Sequence, residues 1–173
     1  MNKALFLDRD GVINIEKDYL YKIEDFEFIE GIFTLCMHYQ SLGYIIVVVT
    51  NQSGIARNYY NEHDFNLLTS WMTKEFDKYA VELKKVYFCP HHPDISGECP
   101  CRKPKPGMLL EAAKEFNIDL KNSILIGDKE RDIQAGLNAG LKETYLFDER
   151  SSVTVSDATK IVSTLGEIYS VNT

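Results

Sequence analysis

Short apolar runs that each stop abruptly at a polar residue constrain this chain's fold more than any other feature. They are Ala4 to Leu7, Tyr44 to Val49, Val86 to Phe88, Ile124 to Ile126 and Thr144 to Phe147. A strand covered on both faces has no polar side to show, so a parallel strand inside an α/β sheet reads as such a run, and the polar residue marks the end that opens onto solvent. Helical spacing fills the gaps. Ile32, Leu35, Tyr39 and Leu42 share one face closed by Gly43, while Phe65, Leu68, Met72, Phe76 and Tyr79 follow a candidate cap at Asn61. A third helix is expected from near Pro106, presenting Leu109, Ala112, Ala113 and Phe116, and a fourth from about Arg131 to Ala139 with Gly140 as its stop. Strand and helix alternate throughout, which predicts an α/β fold, a doubly wound and mostly parallel sheet.

With 173 residues, 10 Tyr and 9 Phe, the chain is long enough to bury a core without disulfide staples, and one domain over 1–173 is expected. Its net charge of −7 has the wrong sign for tracking a nucleic-acid backbone, yet allows a local cationic pocket for a phosphate. Asp8 interrupts the first apolar run before it reaches the about 7–15 residues of a signal sequence, and no run approaches the roughly 18 needed to span a membrane. The expectation is a cytoplasmic protein, with no nucleic-acid or membrane partner and no sign of an obligate oligomer, hence a monomer. Its thiols would stay reduced and serve as ligands, nucleophiles or core residues.

One segment breaks the alternation. All five prolines and three of the four cysteines fall between Cys89 and Pro106, so loop 89–106 reads as neither helix nor strand and needs something other than a core to hold it. Cys89-x-His91, seven further residues, and Cys99-x-Cys101 offer four ligands of the kind that complete a tetrahedron around Zn²⁺ and leave no open position, the mark of a structural site. His92 competes with His91 for the fourth place. Cys36 lies on the apolar stripe of the first helix and reads as core; His38 and His63 read as structural or exposed.

The chemistry gathers at the strand ends. Asp8 and Asp10 follow the first run with Gly11 permitting a sharp exit, Thr50-Asn51 follows the second, and Gly127-Asp128-Lys129 follows the fourth, with Asp132 one helical turn on. Carboxyl ends of parallel strands converge on one crevice, so Asp8, Asp10, Thr50, Asn51 and Asp128 would meet there. Carboxylates that close repel unless a cation joins them, and an all-oxygen ligand set suits Mg²⁺. Hydroxyl, amide and lysine donors around Mg²⁺ would clamp a phosphoryl group.

Together, Asp8-x-Asp10-Gly11, Thr50-Asn51-Gln52, Lys103 and Gly127-Asp128 resemble the four motifs of the haloacid dehalogenase-like phosphatases. The likeness is closest to the branch acting on heptose 1,7-bisphosphate, through residues 6–11, Val49 to Arg57, Cys89-Pro90-His91-His92-Pro93, Cys101-Arg102-Lys103-Pro104 and Pro106-Gly107-Met108. It runs to about residue 140. The resemblance implies a Rossmann-like fold, here without a cap domain because only residues 12 to 30 separate the first motif from the first helix. It implies Asp8 as nucleophile, forming an aspartyl phosphate, and Asp10 as general acid and then base. Mg²⁺ would sit on Asp8, the Asp10 carbonyl and Asp128, while Thr50, Asn51 and Lys103 would hold phosphoryl oxygens. His91 is favoured over His92 for zinc. Arg102, Lys129 and Arg57 would contact a sugar bisphosphate beyond the reacting group, in a step toward nucleotide-activated heptose. Lys105 matches no motif and reads as a solvated loop lysine. The competing readings are a histidinol-phosphate phosphatase, which shares the motifs and a similar zinc loop, and a zinc-stabilised module that binds a phosphorylated ligand without catalysis. Asp18 and Asn58 depart from the family pattern, each standing where relatives often carry glycine.

Overall fold

The computed structural model describes residues 1–170. Six parallel strands form one sheet: β1 (Lys3–Leu7), β2 (Tyr44–Asn51), β3 (Leu83–Cys89), β4 (Ile124–Gly127), β5 (Glu143–Phe147) and β6 (Lys160–Val162), in the spatial order β3-β2-β1-β4-β5-β6. β2 and β3 progress to one side of β1, and β4, β5 and β6 to the other. The order therefore reverses between β1 and β4, where an open sheet of this kind forms its crevice.

The strand residues divide between two cores as the period of two demands. Leu5, Leu7, Ile46, Val48, Ile124 and Ile126 face one side, where they meet Ile32 and Leu35 of α1 (Ile32–Ser41) and Leu68, Met72 and Phe76 of α2 (Glu62–Asp77). Ala4, Phe6, Val47, Val49 and Leu125 face the other, against Met108, Leu109 and Ala112 at the start of α4 (Gly107–Phe116) and Ile133 and Ala135 of α5 (Glu130–Ala139). Asn61 caps α2 as expected: its Oδ1 accepts from the Asp64 N–H at 2.9 Å, and the Asp64 carboxylate accepts from the Asn61 N–H at 3.0 Å.

Two features escape the sequence pattern. Within loop 89–106 a single helical turn, α3 (Pro93–Ser96), forms where neither helix nor strand is expected. Pro93 sits at its first position, where a missing N–H costs nothing, and His92 Nδ1 accepts from the Asp94 N–H at 3.2 Å. Beyond residue 147, β6 and the short α6 (Gly166–Tyr169) extend the sheet and cover the α1 side, burying Val162, Leu165 and Ile168. A three-residue strand and a four-residue helix are too short to show a period, which is why the tail reads as contributing little.

Among the described residues, no helix is long and apolar enough to cross a membrane.

Candidate active site

Asp8 leaves β1 at the point where the order reverses, its N–H still donating to the Ile126 carbonyl of β4 at 3.1 Å. Asp128 leaves β4, and Thr50 and Asn51 close β2. Lys103 arrives from the far end of loop 89–106 and is buried to 3 % exposure. Its ammonium donates to Asp8 Oδ1 at 2.9 Å and to the Val49 carbonyl at 2.9 Å, and pairs with Asp132 Oδ1 at 2.7 Å. Burial would strip Lys103 of its proton, but Asp132 and Asp8 outweigh it and hold its pKa up at about 12.

Asp8, Asp128 and Asp132 bring carboxylate oxygens within 4.8 Å of one another. Burial, then the Asp132 charge, push the Asp8 carboxyl well above its usual range despite Lys103, and burial and Asp132 raise Asp128 likewise. Such a cluster is relieved by a divalent cation, and its donor set fits Mg²⁺. Asp132 is already committed, with Oδ1 on Lys103 and Oδ2 accepting the N–H groups of Asp128 and Lys129 at 3.2 and 3.0 Å. That leaves Asp8 and Asp128 as the carboxylates open to a metal. Gly11 makes their approach feasible: at φ 90° it adopts a left-handed backbone, and a Cβ there would lie 2.1 Å from Asp128 Oδ2.

The Asp10 carboxylate is fixed from three sides. Arg9, 1 % exposed, donates to both oxygens from one terminal nitrogen at 2.9 and 3.0 Å, Asn14 Nδ2 donates at 3.0 Å and Gln52 Nε2 at 3.1 Å. Gln52 also donates to Thr50 Oγ1 at 2.9 Å and accepts from the Tyr60 hydroxyl. Asn51 spends both ends of its amide on the Lys103 backbone, donating to the carbonyl at 3.2 Å and accepting from the N–H at 3.1 Å. It therefore sets the position of Lys103.

Asp8, Asp10, Asn51, Gln52, Lys103 and Asp128 floor a cavity of about 300 Å³. Around it stand Arg57, Arg102, Lys129 and Arg131, opposed by Glu16, Asp18 and Tyr19. Arg102 donates to the His91 carbonyl at 3.4 Å, tying the cavity wall to the cysteine cluster. Tyr19 holds a left-handed backbone at φ 56°, with the Arg57 guanidinium 5.8 Å from its ring centre. Asn58 has φ 58°, a left-handed conformation that asparagine tolerates. Glu16 reaches solvent through the cavity mouth, yet the surrounding protein, with Asp10 and Asp128, lifts its pKa to about 7.

The second cluster is also assembled. Cys89, His91, Cys99 and Cys101 bring ligand atoms within 4.8 Å of one another, with Nδ1 the atom His91 presents. Sγ–Sγ separations of 3.5 Å (Cys89–Cys99) and 3.4 Å (Cys99–Cys101), and Nδ1–Sγ separations of 3.6 and 3.4 Å, are near the roughly 3.5–3.8 Å edge of a tetrahedron with Zn–S about 2.3 Å; Cys89–Cys101 is tighter at 2.6 Å. His92 is taken up in capping α3. Lys105 is exposed, but it closes the loop on itself through Glu98 at 2.5 Å and the Cys99 carbonyl at 2.9 Å. Cys36 is buried in the core, and burial pushes its thiol up to about 12. His38 stacks on Tyr169 at 4.8 Å, and His63 is exposed on α2.

The expected site residues line one cavity or belong to the adjoining cluster, except Thr50, which is fully buried with its Oγ1 accepting from Gln52. Those the sequence reading did not assign to the site are Asp132, Arg9, Asn14, Gln52, Glu16, Tyr19 and Arg131. Asp132 left a signal, four residues after Asp128 in a helical pattern; the others act through contacts that spacing does not encode.

Comparison with known proteins agrees with this geometry. Residues 100–157 match the HAD-hydrolase-like family model. The chain is 57% identical over 147 residues to the D-glycero-alpha-D-manno-heptose-1,7-bisphosphate 7-phosphatase of Campylobacter jejuni, covering 85% of this chain and 83% of that protein. It is 53% identical to the D-glycero-beta-D-manno-heptose-1,7-bisphosphate 7-phosphatase of Helicobacter pylori, covering 84% of each. Among solved structures it superposes with a TM-score of 0.84 and 28% identity on the D,D-heptose 1,7-bisphosphate phosphatase of B. bronchiseptica complexed with magnesium and phosphate, covering 96% of this chain and 95% of that one.

Proposed function

This chain belongs to the heptose-1,7-bisphosphate 7-phosphatase family of haloacid dehalogenase-like hydrolases, and from that premise we propose that it removes the 7-phosphate of D-glycero-D-manno-heptose 1,7-bisphosphate to leave heptose 1-phosphate. The observation that carries the reading is the buried Lys103 joining Asp8 to Asp132 at the floor of a cavity with a cationic rim. Asp8 is the nucleophile: one of its carboxylate oxygens attacks phosphorus and the bond to the sugar oxygen breaks, giving an aspartyl phosphate. Asp10, held by Arg9, Asn14 and Gln52, donates a proton to the departing oxygen and then takes one from the water that hydrolyses the intermediate. Lys103 and the Thr50 hydroxyl hold phosphoryl oxygens, and Asn51 fixes the Lys103 backbone. Mg²⁺, held by Asp8, Asp128 and the Asp10 carbonyl, neutralises charge on the phosphoryl group when bound.

Arg57, Arg102 and Lys129 contact the substrate beyond the reacting group. Cys89, His91, Cys99 and Cys101 would hold a structural Zn²⁺, which would fix the loop that ends in Arg102 and Lys103. The chain works as a single domain over 1–173 in the cytoplasm, where these thiols remain reduced for the metal, and as a monomer.

Phosphate release from heptose 1,7-bisphosphate, histidinol phosphate and small aryl phosphates, followed by phosphorus NMR of the sugar product, tests the reading. The expected result is preferred turnover of the bisphosphate with the anomeric phosphate retained. Preferred turnover of histidinol phosphate, or loss of the anomeric phosphate first, would overturn it.

A further inference from the structure

Arg131 stands in the first turn of α5, the wrong end of a helix for a cation, because the exposed N–H groups there already carry partial positive charge. Lys129 lies two residues before it, and both line the cavity together with Arg57 and Arg102. The neighbouring acid gives no relief. Glu130 is turned away, its carboxylate accepting from Ser156 Oγ at 2.6 Å, the Asp157 N–H at 2.9 Å and Gln134 Nε2 at 3.1 Å. Asp132 is buried on Lys103 and on the helix N–H groups. The exposed Arg131 side chain makes no hydrogen bond or ion pair with the described residues.

A chain of net charge −7 has acids to spare, yet here it gathers four cations on one rim and leaves this one unpaired. Lys129 pairs with Asp128 at 3.4 Å and Arg102 donates to the His91 carbonyl, so Arg131 is the rim cation left free to meet an anion that enters the cavity. That anion is not the reacting phosphoryl group, which belongs beside Asp8 and Lys103 on the floor. We propose that Arg131 is a specificity-determining residue that, with Lys129, grips the second, non-reacting phosphate of a bisphosphate substrate. This rests on the sugar-bisphosphate reading given above. The guanidinium offers a fork of donors to phosphate oxygens, a geometry that a lysine ammonium does not reproduce.

The test compares heptose 1,7-bisphosphate with heptose 7-phosphate, which lacks the second phosphate, and takes the ratio of their kcat/KM values. Arg131→Ala should lower the wild-type preference for the bisphosphate about tenfold, mainly through KM, as expected for one partly solvated charge-assisted contact. Arg131→Lys should keep part of that preference, and Arg131→Glu should lose more than the alanine. A preference unchanged in all three variants would overturn the role of Arg131 alone. An effect of equal size on both substrates would also overturn it, because the residue would then act on the reacting centre. If the wild-type enzyme shows no preference for the bisphosphate, the functional reading fails before Arg131 is tested.

Discussion

Asp8 shows how the chemistry of this site is held against the fold's own interest. Its carboxylate is buried, faces Asp132 and Asp128, and is only partly offset by Lys103, so ionisation there is penalised on balance. Replacing Asp8 with asparagine should therefore abolish phosphate release while leaving the melting temperature equal to or above that of the wild type, since Lys103 keeps Asp132 as its partner. Turnover within tenfold of wild type in a homogeneous sample would remove Asp8 as nucleophile, and a large fall in melting temperature would show that the carboxylate supports the fold. The groups the chemistry requires were legible in the sequence for a simple reason. Asp8, Asp10, Asp128 and Lys103 are defined by charge type at a strand end or beside a motif, and those can be read along a chain. Arg9, Asn14 and Gln52 were not, because orienting Asp10 depends on which side chains turn onto it within its own loop and from the end of β2.

Loop 89–106 carries two tasks within a few residues, supplying three cysteines and a histidine to one cluster and delivering Arg102 and Lys103 to the cavity. Its end is seated tightly: the Gly107 N–H donates to the Pro100 carbonyl at 3.1 Å, and a Cβ on Gly107 would stand 2.2 Å from that same oxygen. Asn51 then clamps the Lys103 backbone from the β2 side. A slack cluster should consequently displace Lys103 as well as Arg102. Cys99→Ser should copurify with less than one zinc per chain and lose kcat/KM on both the sugar bisphosphate and a small aryl phosphate, whereas Arg102→Ala should weaken the former far more. Full zinc content with unaltered kinetics in Cys99→Ser would show that the loop holds its shape without the fourth ligand. The five central strands and four main helices were legible from period and caps, and the ligand spacing marked the loop. The α3 turn was hidden by its prolines, which suit a first helical position as well as an irregular loop.

Across the whole molecule, binding and stability occupy different regions of one sheet. The candidate catalytic groups gather at the carboxyl ends of β1, β2 and β4, whereas the final segment closes the far edge through β6 and packs α6 beside α1. Ile168, 2 % exposed, belongs to the core cluster on the α1 side and does not line the cavity. Truncating such a side chain removes its burial and leaves a void, worth about 2–5 kcal/mol against a total stability of roughly 5–15 kcal/mol. Ile168→Ala should therefore melt several degrees lower and inactivate sooner on warming, while at 25 °C its kcat and KM for the bisphosphate match wild type. The strand order supports that separation for β6, since β5 stands between it and the β1–β4 crevice. An unchanged melting temperature would mean that the tail does not close the core in solution. A lowered kcat at full folding would mean that the edge strand and the crevice move as one body, and that the tail participates in catalysis.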